Sequence, residues 1–302
     1  MKNPLLLLLF CLCVSACSAT STQTQNASLG QPSTMVKLLE SLQQPGVIEF
    51  KKYAAADWAV DLSGLLNLEH PKAQAAGIED RLEQIQIFTY SLAHPTQGTY
   101  LVDSGLSQSF TDTANNSDVS TLVKMAMGMD LLKVHITTKS LNDQLDGIDG
   151  VFLTHIHMDH IMGLTDLGSD VPIYIGPGDA EAKDPMNALT IGTTDRLMAN
   201  VTALLEWQYT ETGVIDVFGD GSLWAIHSPG HTLGATAYLA NTTSGPQLML
   251  GDATHTKWGW ENGVEPGTFS VDVAASVVSL ARLKGLVLED TRISVHPGHQ
   301  AL

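Results

Sequence analysis

The chain has 302 residues, of which 44% are hydrophobic and 16% charged. That is enough apolar material for a sizeable core, and it excludes a disordered chain. With 15 lysines and arginines against 32 aspartates and glutamates, the formal charge is −17 and no basic cluster is present to neutralise phosphates, so nucleic acid is excluded as a partner.

The N-terminal stretch MKNPLLLLLFCLCVSAC carries one cation, Lys2, and an apolar run from Leu5 to Val14. The run is too short for a stable transmembrane helix and reads as a secretory signal over 1–16. Its end, Val14-Ser15-Ala16-Cys17, resembles the lipobox of bacterial lipoproteins. The resemblance implies a lipid anchor on Cys17, with the protein at the outer membrane facing the periplasm. The alternative is an ordinary signal cleaved near Ala19. All three cysteines (Cys11, Cys13, Cys17) lie in this segment, so the remaining body has no disulfide and no thiolate ligand. Residues 17–33 are small and polar without hydrophobic period and are expected to be a flexible tether. The folded body is then 34–302.

Within that body, TMVKLLESLQQ has the spacing of a short amphipathic helix ending near Pro45-Gly46. Strands are expected at 84–93, 98–106, 150–154, 171–176, 222–230, 236–241, 247–252 and 292–298. A helix is expected at 118–134, with Met125, Met127 and Met129 as core filler. Another is expected from about Ser270 to Lys284, stopped by Gly285. Strands and helices interleave throughout, which points to one layered α/β or α+β domain.

The stretch THIHMDH at 154–160 places three of the chain's eleven histidines and an aspartate directly after the apolar run Val151-Phe152-Leu153. His155 and His157 alternate as the chain leaves a strand, so both rings can face one side. Asp159 and His160 follow at the turn into a helix. The set suits zinc or a similar divalent ion held by nitrogen and oxygen. Further ligands are expected at other strand ends: His231 in SPGHTLG, Asp252 in LMLGDATH and His299 in SVHPGHQ, each directly preceded by glycine. A recurring strand, glycine and polar residue is harder to explain by packing than any single histidine. His70, His94 and His135 are treated as structural, and His227 and His296 as residues behind the ligands.

HIHMDH, PGHT, GD and PGH, in this order, resemble the metallo-β-lactamase-fold superfamily of metal-dependent hydrolases over about residues 84–302, and TYLVDSGL resembles its early strand-plus-Asp motif. The resemblance implies an α+β, four-layer αββα sandwich with a dinuclear site at one edge of the sheets. It implies one zinc-type ion on His155, His157 and His231 and another on Asp159, His160 and His299. Asp252 would bridge the two, with Asp103 structural nearby. Two such ions hold a bridging hydroxide near neutral pH and polarise a carbonyl. No G-x-S-x-G segment suggests a serine nucleophile. Asp159 would handle the proton of the leaving group.

The N-acyl-homoserine lactonase branch is closest in motif order. In that branch a tyrosine stands three residues after the bridging Asp. Here the position is His255, read either as a hydrogen-bond donor to the substrate oxyanion or as an orienter of Asp252. The loop 254–269, with Trp258 and Trp260, is the candidate pocket wall. The expected substrate is a small ester-type molecule, a lactone preferred. Alternatives are a β-lactam, which Asp252 disfavours, or a thioester or phosphodiester.

Overall fold

The computed structural model describes residues 18–183 and 187–302, so the expected secretory signal and the expected anchor on Cys17 lie outside the described residues. Among those described, fourteen strands form two sheets. In chain order they are β1 (Thr24–Asn26), β2 (Gln31–Pro32), β3 (Glu49–Asp61), β4 (Leu82–His94) and β5 (Gly98–Val102). Then come β6 (Lys133–Val134), β7 (Gly150–Phe152), β8 (Ile173–Ile175) and β9 (Leu204–Glu206). The last are β10 (Val214–Asp216), β11 (Leu223–His227), β12 (Thr236–Thr242), β13 (Gly245–Met249) and β14 (Ser294–His296).

The first sheet has the order β1-β9-β8-β7-β5-β4-β3-β6 and the second β14-β13-β12-β11-β10-β2. Period-two alternation decides where each side chain goes. On β12, Ala237 and Leu239 face the long helix Val273–Glu289, while Tyr238 and Ala240 face the other sheet. On β5 and β7, Val102 and Phe152 point between the sheets, and Leu101 and Val151 point to the helices outside. The result is four layers, helix–sheet–sheet–helix, with an apolar core at each of the three interfaces.

Three expectations are corrected. Residues 18–33 are not a tether. β1 pairs parallel with β9, β2 pairs with β10, and Thr20 and Ser21 donate to Asp195. Each sheet has an edge whose backbone groups need partners, and a polar strand satisfies them without adding an apolar face. The segment 118–134 holds a short helix, Thr121–Ala126, then a 3-10 turn and β6. Met129 is buried there, but Met125 is 76% exposed and fills no core. Gly285 does not stop the last helix, which runs on to Glu289, where Asp290 leaves helical geometry. A glycine costs such a helix about 1 kcal/mol, less than its buried Leu280, Leu283 and Leu286 supply.

Candidate metal centre

Five strands from both sheets end at one edge of the sandwich, and each is followed by a polar residue. β5 runs into Asp103, β7 into the 154–160 segment, β11 into His231, β13 into Asp252 and β14 into His299. Two of the preceding glycines are there because no side chain fits. A Cβ on Gly298 would lie 2.1 Å from Asp252 Oδ1. One on Gly251, which has φ +51, would lie 2.6 Å from Thr154 Cβ. The strand-end pattern is therefore a close-approach pattern.

The centre of the cluster is a single carboxylate oxygen. Asp252 Oδ2 lies 3.1 Å from His255 Nε2, 3.3 Å from His231 and His299 Nε2, 3.5 Å from His160 Nε2 and 3.7 Å from His155 Nε2. His157 joins through its other nitrogen, with Nδ1 2.8 Å from His231 Nε2. Asp159 Oδ2 lies 3.3 Å from His299 Nε2 and 3.6 Å from His160 Nε2. All seven residues expected as ligands are thus brought together, as is His255. Their donor atoms fall into overlapping groups: His155, His157 and His231; His155, His160 and Asp252; Asp159, His160 and His299; and His231, Asp252 and His255.

The outer nitrogens are tied down. Asp103, held at φ +56, accepts from the Thr154 N–H at 2.7 Å, from the Thr154 hydroxyl and from His160 Nδ1–H at 2.8 Å. Since Thr154 gives its proton to Asp103, its oxygen is left to accept from His155 Nδ1–H at 3.1 Å. His299 Nδ1–H donates to the Gln86 carbonyl at 2.9 Å, and His255 Nδ1–H to the Leu65 carbonyl at 2.9 Å. Each bond fixes a tautomer and turns Nε2 inward.

Burial, with neighbouring imidazoles adding to it, pushes His155 and His231 well below the usual histidine range, so both rings are neutral. Burial also pushes His160 down, but Asp103, Asp159 and Asp252 outweigh it and raise the ring well above that range. Asp252 is raised by burial and then carried well below the usual carboxylate range by His255, His299 and His160. The cluster therefore holds negative charge that calls for protons or cations. Buried atoms without a hydrogen-bond partner among the described residues include His155 Nε2, His160 Nε2, Asp252 Oδ1 and His255 Nε2. Inward lone pairs on a nitrogen and oxygen donor set fit divalent cations of the zinc type.

Other histidines behave as structural ones do. His70 caps the helix Pro71–Ala75, His94 pairs with Asp220 at 2.9 Å, and His135 pairs with Asp57 at 3.0 Å. His227 Nε2–H donates to the Leu233 carbonyl in the loop after His231, whereas His296 bonds Gln247 and reaches no ligand. The expected aromatic wall is corrected. Residues Lys257–Asn262 form a helix capped by Thr256, Trp260 is buried in the outer core of the second sheet, and Trp258 packs against that of the first.

One buried group was not anticipated from sequence. Asp179, 1% exposed, accepts from Gly234 N–H at 2.6 Å. Burial pushes its carboxyl up to about 7, against the pull of Gly234, the Thr232 hydroxyl and the Ile156 N–H. It thus sits between the loop holding His155 and His157 and the loop holding His231. In sequence it reads as the end of a Gly-Pro-Gly-Asp surface turn.

A profile of the Metallo-beta-lactamase superfamily matches residues 84–244, more than half of the chain. An N-acyl homoserine lactonase of a Bacillus species is 27% identical over 241 residues, which cover 78% of this chain and 90% of that one. The N-acyl homoserine lactonase AttM of Rhizobium johnstonii is 36% identical over 99 residues, 32% of this chain and only 37% of AttM. A crystal structure of a quorum-quenching N-acyl homoserine lactone lactonase superposes with a TM-score of 0.60 at 22% identity, covering 84% of this chain and 92% of that one.

Proposed function

Because the chain belongs to the metallo-β-lactamase superfamily, we propose that it is a metal-dependent hydrolase that opens a small ester-type substrate, a lactone by preference. The observation that carries this is the convergence of His155, His160, His231 and His299 on one oxygen of Asp252. Two divalent ions, zinc by donor chemistry, would be held by His155, His157 and His231 and by Asp159, His160 and His299, with Asp252 within reach of both groups. When bound, such ions acidify a water to a nucleophile near neutral pH and polarise the carbonyl under attack.

The chain's own residues do the rest. Asp252, buried and ionised, fixes the two triads relative to each other. Asp103 and Thr154 hold His160 and His155 in the tautomers that present Nε2. Asp159, the most exposed of the carboxylates here at 15%, is placed to take the proton and return it to the leaving alkoxide. A cavity of about 480 Å³ touching His299, Gln86, Lys257 and Gln300 opens beside the second triad. On the other side an apolar rim borders the His231 loop: Leu233, Phe269 and Val271 are 44–50% exposed, and Val271 N–H donates to the His231 carbonyl. A charged metal centre with an apolar rim suits an acylated lactone, as do the lactonases among the relatives. A lipid anchor on Cys17 would keep this body near a membrane, because only six residues separate that cysteine from β1. Cys17→Ser should then release it to the soluble fraction.

The test is to count metal per chain and to assay acyl-homoserine lactones, a chromogenic β-lactam, thioesters and phosphodiesters side by side. Two ions and lactone turnover are expected. Fewer than one ion after zinc reconstitution sinks the dinuclear reading, and turnover of the β-lactam alone replaces the substrate.

A further inference from the structure

His255 stands where the family resemblance expects a hydrogen-bond donor to substrate, yet its surroundings prepare it for the opposite role. Its ring is 1% exposed, and Nδ1 lies 2.9 Å from the Leu65 carbonyl. That carbonyl is one of those left over at the end of the short helix Leu62–Leu65, and it can only accept. When the ring is neutral its proton is therefore on Nδ1, which leaves the Nε2 lone pair free to bind a cation. A donor to an oxyanion needs a proton on Nε2, which this tautomer lacks.

The lone pair points into the cluster. Nε2 is 3.1 Å from Asp252 Oδ2 without forming a hydrogen bond to it, and has no other partner among the described residues. The ring meets His231 edge-on at 4.9 Å and stacks on His299 at 5.6 Å. His299 is held in the same way, with Nδ1–H on the Gln86 carbonyl and Nε2 turned inward. The donor atoms of His231, Asp252 and His255 lie within 4.8 Å of one another. Ring N–H on a backbone carbonyl and a buried, unpartnered lone pair facing a carboxylate is how a ligating histidine is prepared.

We infer that His255 is a metal ligand, adding an eighth donor residue to the site through the His231–Asp252–His255 face. This rests on the metal-dependent reading above, and goes beyond it in giving one ion a ligand that a tyrosine at this position would not supply as a neutral phenol. It also makes His255 part of metal retention, not a contact to substrate.

The direct experiment is NMR of the full protein with ¹⁵N-labelled histidine, loaded with ¹¹³Cd. A one-bond coupling from cadmium to His255 Nε2 is expected, and it disappears in His255→Phe while the couplings of the other rings persist. The second readout is cadmium affinity by chelator competition, with one ion held at least roughly tenfold more weakly in the variant. The melting temperature of the metal-free proteins checks that the variant folds. If it does not fold, the wild-type spectrum decides alone. Couplings from the other histidines without one from His255 overturn this inference and leave the metal-dependent reading intact. Absence of coupling from every histidine overturns both.

Discussion

The two sheets build their halves of the site in different ways. The first sheet delivers His155, His157, Asp159 and His160 in one stretch after β7, braced from behind by Asp103 and Thr154. The second sheet delivers His231, Asp252 and His299 singly, from three strands. The rings of His255 and His299 are braced across the sandwich by main-chain carbonyls of Leu65, on the helix after β3, and Gln86, on β4 of the first sheet. One half is therefore a local motif whose geometry is set by a carboxylate. The other is an assembly whose geometry depends on backbones passing close together, as at Gly251 and Gly298. Local construction survives small shifts of one sheet against the other, whereas assembled construction does not. The second half should thus be the more fragile, although the first holds more of the candidate ligands.

The sharpest way to break that asymmetry is at the hub. Asp252→Ala removes the oxygen that faces imidazoles from both sheets, so metal content should fall at both positions together. The loss of kcat/KM should be about 10³-fold or more, ~4 kcal/mol. Loss of a single ion, with the other retained, would mean that the halves bind independently.

Asp179 couples the halves from underneath, and its effect is read through pH. Its carboxyl is raised from 3.8 to about 7 by burial. The folded state therefore holds a proton that the unfolded state has released between those values. The contribution to stability is present below pH 4, is lost as pH rises through about 7, and is worth up to ~4 kcal/mol. Asp179→Asn stays neutral throughout. In EDTA, to remove the contribution of metal, the variant should gain in melting temperature relative to the parent as pH rises from 4 to 8. A parallel pair of curves would remove Asp179 from the argument.

Asp103→Asn tests the first half alone. Asparagine tolerates the left-handed backbone found at this position, so the change is in charge and not conformation. Without the carboxylate, His160 loses a neighbour that raises its affinity for protons and cations. Metal affinity should fall by about 10–100-fold at the second triad, with His155, His157 and His231 affected less. This is smaller than the loss at Asp252 because the asparagine oxygen can still accept from the Thr154 N–H and no atom facing the centre of the cluster is removed.

The same asymmetry explains what could be seen in the sequence. The 154–160 segment is contiguous, and the near-continuous apolar runs of β5, β7 and β12 announce strands buried on both faces, so the layers and the candidate ligands were readable. His231, Asp252 and His299 were readable because glycine marks where backbones crowd. What could not be read depends on partners far along the chain. Residues 24–26 are polar and become a strand because β9 presents an open edge. Trp258 and Trp260 look like a loop's exposed aromatics until Thr256 caps a helix over them. Asp179 looks like a turn residue until Gly234 folds over it, at a position where a Cβ would meet the Gly176 carbonyl at 2.5 Å and the Asp179 side chain at 2.9 Å.

The smallest expected effect concerns substrate, and it sharpens the comparison at the second sheet's rim. Phe269 is 44% exposed and packs its ring on Gly64, next to the Leu65 carbonyl that orients His255. It reaches no ligand by hydrogen bond, so Phe269→Ala should leave metal content unchanged. If an acyl chain lies along this rim, truncation loses about 40 Å² of apolar contact. At ~25 cal/mol per Å², that is about 1 kcal/mol, or roughly fivefold in kcat/KM. The loss should appear with long-chain lactones and vanish with short ones, because a short chain ends before the rim. An equal loss at every chain length would mean that Phe269 acts through the Gly64–Leu65 turn on His255, placing the rim among the fragile backbone contacts of the second half.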